Sequence, residues 1–344
     1  MSARHRPARG AIGSLARLLD IPAGDLAFLE PLPRSLVDTL ADAIAAALTA
    51  EAVGTIERLA RISSVVPTPI AAQVAHRALG PAVSARLLPL LPSRLIGDIA
   101  GRVPGTFLAE VASAAHTSEL RNVVPSLTLR TLKTAAHHLA EAGDHLTLAS
   151  VAGVVGPEHL PTLIGGLDSA AVLATTIFVD DPAVLDDIIS TLSDDDLVDL
   201  VQAANDQGAW APALDLLDRV QPRTQARLAE LVLSLPAEVL DEAVRAATAL
   251  DAWSVLLAVV PNLPEASSAA LVDAVTALVI DAPDDVLIAV VDSITATGLD
   301  PADAEAGLGL LARMTEPARD RLAALATTLP AEKAELLAPA LGSR

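Results

Sequence analysis

The chain has 344 residues, 52% hydrophobic and 19% charged, with no Cys, no Tyr, and 23 Lys+Arg against 43 Asp+Glu for a formal net charge of −20. So much apolar surface excludes intrinsic disorder, and the lack of Cys excludes disulfide scaffolds, zinc fingers, iron–sulfur centres and thiol enzymes. The acidic total disfavours duplex nucleic acid, which needs a dense basic stripe, so no nucleic-acid partner is expected.

Residues 1–20 read as a basic N-terminal arm. The stretch MSARHRPARGAIGSLARLLD carries Arg4, Arg6, Arg9 and Arg17 but no unbroken apolar core of the kind a secretory signal requires. The arm leads into a short amphipathic helix over 12–19. Its alternatives are a frayed terminus and a peripheral membrane contact.

Residues 21–156 read as irregular helical repeats, near-neutral to basic. PRSLVDTLA after Leu32 is echoed by PSRLIGDIA after Leu91, and LLPLLPSRL, RVPGTFLAEV and VVPSLTLRTL share the same start–stop rhythm. Charge in this region is one-sided. Between Arg61 and Ala140 the only acids are Asp98, Glu110 and Glu119, against Arg61, Arg77, Arg86, Arg94, Arg102, Arg121, Arg130 and Lys133. Arg77, Arg86, Arg94, Arg102, Arg121 and Arg130 are the candidate partner-binding residues.

The most apolar stretch, 160–179, is interrupted by Pro161, Gly165, Gly166 and Asp168. A membrane span needs about 18 or more unbroken apolar residues, so this stretch reads as a helix boundary. Residues 157–344 form acidic, regular helical repeats continuous with the first half. From Asp180 onward short segments open on a polar residue and a proline, which is pre-organised for a helix start. Pro182, Pro222, Pro236, Pro264, Pro283, Pro301, Pro317 and Pro330 mark such openings. Ser193 with Asp196 three residues on predicts a capping box. Apolar residues recur at helical spacing, as in Leu228, Leu231, Val232 and Leu235, giving one buried stripe per helix.

Self-similarity is strong. RLAELVLSLPAEVLDEA from Arg227 returns as RLAALATTLPAEKAELLA from Arg321, and AWAPALDLLDRV around Trp210 returns as AWSVLLAVVPNL around Trp253. Units of roughly 40–47 residues holding two or three helices are the period of stacked helical repeats. The fold class expected is all-α: a right-handed α-solenoid of stacked short antiparallel helices. Phe28, Phe107, Phe178, Trp210 and Trp253 are the only aromatics, so many small Ala/Leu/Val contacts must replace an aromatic core. The two tryptophans are expected to anchor repeat cores.

The cadence of LP pairs with acidic helix starts resembles HEAT-like α-solenoids. Over 161–236 (HLPTLIGGLDSAAVL…TLSDDDLVDLVQAA) it is also similar to the helical N-terminal domain of MgtE-type magnesium transporters. The resemblance implies the fold and a leaning toward divalent cations at acidic helix ends. It does not imply transport, since the chain is too short and too interrupted for a pore.

Motifs that carry chemistry are few. Asp180, Asp181, Asp186, Asp187, Asp194, Asp195, Asp196 and Asp199 form a run without a base. First-turn Asp complements the helix dipole; the alternatives are loose Mg²⁺ or Ca²⁺ binding, with Asp194, Asp195, Asp196 and Asp199 as weak candidates, or docking of a basic partner. His137, His138, Glu141 and His145 are the one clustered His/carboxylate set, but Gly143-Asp144 predicts a helix stop and restart that turns His145 away. No nucleophile-elbow, P-loop or dinucleotide fingerprint is present. The expectation is a non-enzymatic, cytoplasmic bacterial scaffold or adaptor without a cofactor, presenting an extended surface to another protein or a second copy of itself. The alternatives are a peripheral membrane or lipid-inclusion coat protein and a divalent-cation-responsive regulator.

Overall fold

The computed structural model describes residues 8–50, 67–250, 252–295 and 301–342. Every regular element among them is helical, and an isolated bridge between Gly165 and Leu167 is the one β-type pairing among them. The chain is all-α. No helix among the described residues is long and apolar enough to cross a membrane. Helices divide between two compact units, 1–191 and 192–344.

Unit 1 contains α1 (Arg9–Leu19), α2 (Arg34–Ala50), α3 (Thr68–Val74), α4 (Gly80–Leu87), α5 (Ser93–Ala100) and α6 (Gly105–Ala114). It continues with α7 (Thr117–Val123), α8 (Leu129–Glu141), α9 (His145–Ala152), α10 (Leu160–Ile164), α11 (Ser169–Thr176) and α12 (Pro182–Thr191). Local sequence explains the boundaries. Thr128, Asp144 and Asp168 each cap a helix by accepting a backbone N–H three residues on, which satisfies a donor the helix leaves orphaned. Gly143 takes the left-handed conformation (φ 70°) that closes α8, a backbone state that costs a glycine nothing. The expected stop and restart at Gly143-Asp144 is therefore present. So is the break in 160–179, where α10 ends and Gly166 turns the chain at φ 98°.

Tertiary order in unit 1 is simple. From α3 to α12, each helix packs on the one two places further along. Small residues make this close stacking feasible. A β-carbon at Gly97 would lie 2.6 Å from the Ser126 carbonyl oxygen, and one at Gly105 would collide with Thr134 and His138. Helix α1 departs from the order, packing on both α2 and α9. Its Ile12, Leu15 and Ala16 are buried with Leu26, Leu29 and Val37. Burying a side chain such as Leu15 contributes about 1.5–3 kcal/mol. The helix starts three residues before the expected 12–19, and Arg9–Leu19 is packed chain; residues 1–7 of the basic arm lie outside the described residues.

Unit 2 contains α13 (Asp194–Asp206), α14 (Trp210–Arg219), α15 (Pro222–Leu233), α16 (Ala237–Ala249) and α17 (Trp253–Val259). It ends with α18 (Glu265–Asp281), α19 (Asp284–Ile294), α20 (Pro301–Ala312), α21 (Glu316–Ala326) and α22 (Ala331–Leu341). The two-along packing recurs from α13 to α22 except between α18 and α20, and there α17 meets α20 and α18 meets α21, three places along. Ser193 and Asp196 form the expected capping box. The prolines differ slightly from expectation. Pro182 and Pro222 occupy the first helical turn, whereas Pro236, Pro264, Pro283 and Pro330 sit one residue earlier, in extended conformation at the cap. There the proline carbonyl still accepts the first helical bond, as Pro236 does from Val239 at 3.0 Å, while the missing N–H is not needed.

The sequence repeats are geometric repeats as well. Ala209 donates its N–H to the Ala204 carbonyl at 2.7 Å, and Ala252 donates to Ala247 at 2.8 Å. Each bond sets the entry of a helix that begins on a buried tryptophan, Trp210 or Trp253. Arg227 likewise binds the Leu192 carbonyl and the Asp194 carboxylate. Arg321 binds the Ala282 carbonyl and the Asp284 carboxylate. In both cases the arginine ties the end of one segment to the first residue of the next helix.

Candidate functional site

The arginines singled out by the sequence lie on four helices of unit 1 and on the turns beside them. Arg77 is on the helical turn Ala75–Leu79 that joins α3 to α4, Arg86 on α4, Arg94 on α5, Arg121 on α7 and Arg130 on α8. Arg102 follows α5. All six are exposed, as is Lys133. Arg102 donates to the Asp98 carbonyl at 2.6 Å. Among the described residues no carboxylate forms an ion pair with any of the seven, although Arg61 lies outside that set. Unit 2 behaves differently: Arg219, Arg227, Arg245, Arg321 and Lys333 each pair with a carboxylate within 4.0 Å. These five are spent on carboxylates of their own unit, whereas the seven cations of the 77–133 stretch face solvent.

The same stretch carries an apolar groove of about 230 Å³ between α3, α4, α5 and α6. Its walls include Ile70, Val74, Leu79, Leu91, Ile99 and Phe107. Phe107 is buried at its base with the His76 ring edge-on at 5.2 Å. Ile70 is 52% exposed and Val74 43%, so the rim is wet and apolar at once. Along the sequence Arg77 falls between the groove residues Ala75 and Leu79, and Arg94 and Arg102 fall close to Ile96 and Val103, though no arginine is among the described residues that line the groove. No local pattern reveals this groove, because its walls come from separate turns.

A second, polar cleft of about 510 Å³ opens between α1, α2, α4, α6, α7 and α9. One wall is a fixed network. Arg17 reaches both oxygens of Asp144 (Nη2–Oδ1 2.7 Å, Nη1–Oδ2 3.1 Å) and the Thr147 hydroxyl at 2.6 Å. Asp144 also accepts from Ser113 and caps α9 through the Thr147 N–H. Burial acts to raise the Asp144 pKa, but the hydrogen bonds from Arg17, Ser113 and Thr147 outweigh it and hold the carboxyl below its ordinary range. His116 caps α7 and shares a capping box with Glu119. Its pKa is lowered by burial, against the raising influence of Asp42 and Asp38. Burial raises that of Glu119.

The acidic run is dispersed. Asp180 caps α1, accepting the Gly10 and Ala11 N–H groups at 2.9 and 2.8 Å. Asp181 accepts the Ala183 N–H at the start of α12, and Asp186 is buried. Asp194 pairs with Arg227 at 2.6 Å. Asp196 is held below the ordinary carboxylate range by the Ser193 side chain and backbone. Asp195 and Asp199 are exposed. Among the described residues no three His, Cys, Asp or Glu side chains gather as metal ligands do. His137 and His138 both turn to Glu141, at 3.3 and 2.8 Å, and His145 turns instead to Thr175. The tertiary role of Asp180 was not read from the sequence. A signal existed: α1 begins after Ala8, which has no side-chain oxygen to cap it, so its orphan N–H groups needed an acceptor from elsewhere.

No family model matches the chain, and neither the curated proteins nor the solved structures contain a match to it.

Proposed function

We propose that the chain is a non-enzymatic binding scaffold, a HEAT-like α-solenoid whose apolar groove in unit 1, built from helices that also carry exposed arginines, docks an acidic amphipathic helix of a protein partner. The observation that carries this reading is that Arg77, Arg94 and Arg102, exposed and without carboxylate partners among the described residues, sit on the same chain segments that build the groove. Packing of most helices on the one two places along supports serial stacking of helical pairs, an arrangement that exposes much surface per residue. Exposed arginines without carboxylate partners repel one another, and an acidic ligand relieves that repulsion and gains rate by electrostatic steering. The apolar floor supplies the contact area that charge alone lacks. An acidic amphipathic helix matches both features.

Fluorescence anisotropy of a labelled acidic amphipathic peptide on the full chain tests it. Binding in the micromolar range is expected, weakened about tenfold by Arg77→Glu with Arg94→Glu and by about 1 M salt. Equal binding of a basic peptide, or no effect of either arginine change, overturns the reading. Salt-sensitive self-association in sedimentation, or cosedimentation with anionic but not neutral vesicles, would replace the partner with a second copy or a membrane surface.

A further inference from the structure

The polar cleft of unit 1 is distinct in chemistry from the groove. Ser14 and Arg17 line it from α1, Arg86 from α4, and Ser113, Thr117 and Ser150 from α6, α7 and α9. Its volume of about 510 Å³ lies within the range of small-molecule sites. The charged groups around it are held differently. Arg17 is matched by Asp144. Glu119 uses its carboxylate on the His116 N–H at 2.9 Å. Arg86 has no carboxylate partner among the described residues, leaving one guanidinium with its donors free.

The hydroxyls are also unequal. Ser113 and Thr147 donate to Asp144, and Ser150 donates to the Leu146 carbonyl. Ser14 and Thr117 hydroxyls lie 3.2 Å apart and bond to each other. Two hydroxyls sharing one bond use one proton, so the other remains available to a ligand. We propose that this cleft binds the oxyanion group, phosphate or carboxylate, of a small polar metabolite, with Arg86 supplying charge and the Ser14/Thr117 pair the orienting donor. The fork of Arg86 suits either oxyanion, since its donors are spaced for two oxygens. Arg17, pinned by Asp144, forms a wall that needs no rearrangement on binding.

Calorimetric titration of the full chain with sodium phosphate and with sodium acetate, at ionic strength fixed by sodium chloride, tests the site. Saturable binding of at least one anion in the millimolar range or tighter is expected. Arg86→Gln should weaken it about tenfold, Arg86→Lys less, and Ser14→Ala combined with Thr117→Val a few-fold. Preference for phosphate assigns a phosphate ester, and preference for acetate a carboxylate. No saturable heat with either anion overturns the proposal, as does unchanged affinity in Arg86→Gln with its helicity intact. Should Arg86→Gln fail to fold, the amide shifts of Ser14 and Thr117 in the unaltered chain decide: movement on titration supports the site, and stillness overturns it. Arg77→Glu and Arg94→Glu lie outside this cleft, so the docking groove and the anion cleft fail independently.

Discussion

Arg17 on the first helix and Asp144 at the cap of α9 are 127 residues apart in sequence and 2.7 Å apart in the fold. The pair joins the start of the chain to the helical stack, and its carboxylate also holds the first turn of α9. Removing it breaks a cap and a tertiary tie together. Asp144→Ala should lower stability by about 2 kcal/mol, a cap plus a charge-assisted bond. Arg17→Met should cost less than about 1 kcal/mol, since the guanidinium side chain is 42% exposed and solvent screens the pair. Urea denaturation followed by circular dichroism measures both. Because the folded pKa of Asp144 lies below its ordinary 3.8, its contribution is complete above that pH. It is lost as pH falls through the depressed value, so wild type and Asp144→Asn should converge in strongly acidic buffer.

Asp180 carries a similar load for α1. Asp180→Ala strips the acceptor from two helix N–H groups and should cost about 1–2 kcal/mol. Gly10→Ala tests the same contact sterically, because a β-carbon there would strike the Phe178 carbonyl oxygen; a loss of about 1–3 kcal/mol is expected. Hydrogen exchange at the amides of α1 should accelerate in both variants. Unchanged protection in Gly10→Ala would show that α1 does not sit as described.

Arg321 and Arg227 occupy equivalent places in the repeat but make unequal contacts. Arg321 serves the carbonyls of Val279, Ile280 and Ala282, whereas Arg227 serves only that of Leu192. Arg321→Met should therefore destabilise more than Arg227→Met, by about 1 kcal/mol or more. Paired urea midpoints give the order, and the reverse order contradicts the assignment.

His116 makes unit 1 pH-sensitive. Its folded pKa is lowered from 6.5 by burial, so the unfolded chain binds more protons just below that pH. Stability attributable to it is complete above pH 6.5 and falls as pH drops toward the folded value. Asp42 and Asp38 oppose the effect, Arg121 reinforces it, and Glu119, with its raised pKa, acts with opposite sign at lower pH. Comparing wild type with His116→Gln isolates the histidine. The melting temperature of the wild type should drop more between pH 7.5 and pH 5.5 than that of the variant.

Helices, caps and repeats were legible because neighbours in sequence set them. Asp144 and Ser193 sit where a side-chain oxygen meets a backbone N–H three residues on, Gly143 where a helix must turn left-handed, and Trp210 and Trp253 where two copies of one unit begin. Each depends on residues a few positions away, which the sequence displays directly. The proline register was legible to within one residue, because a proline fits either the cap or the first turn.

What the tertiary structure decided was which charges are spent. Asp180 and Asp187 look alike in the sequence, yet Asp180 was committed to α1 by a helix about 170 residues away. Arg17 and Arg86 look alike too, but Arg17 is neutralised by Asp144 and Arg86 is left open to the cleft. Hydrophobic spacing fixes how each helix faces its neighbour, whereas a charge's partner is fixed by whichever distant segment the stacking brings within a few ångströms. Coulomb attraction and hydrogen bonding at that range depend on position in space and carry no periodic mark along the chain.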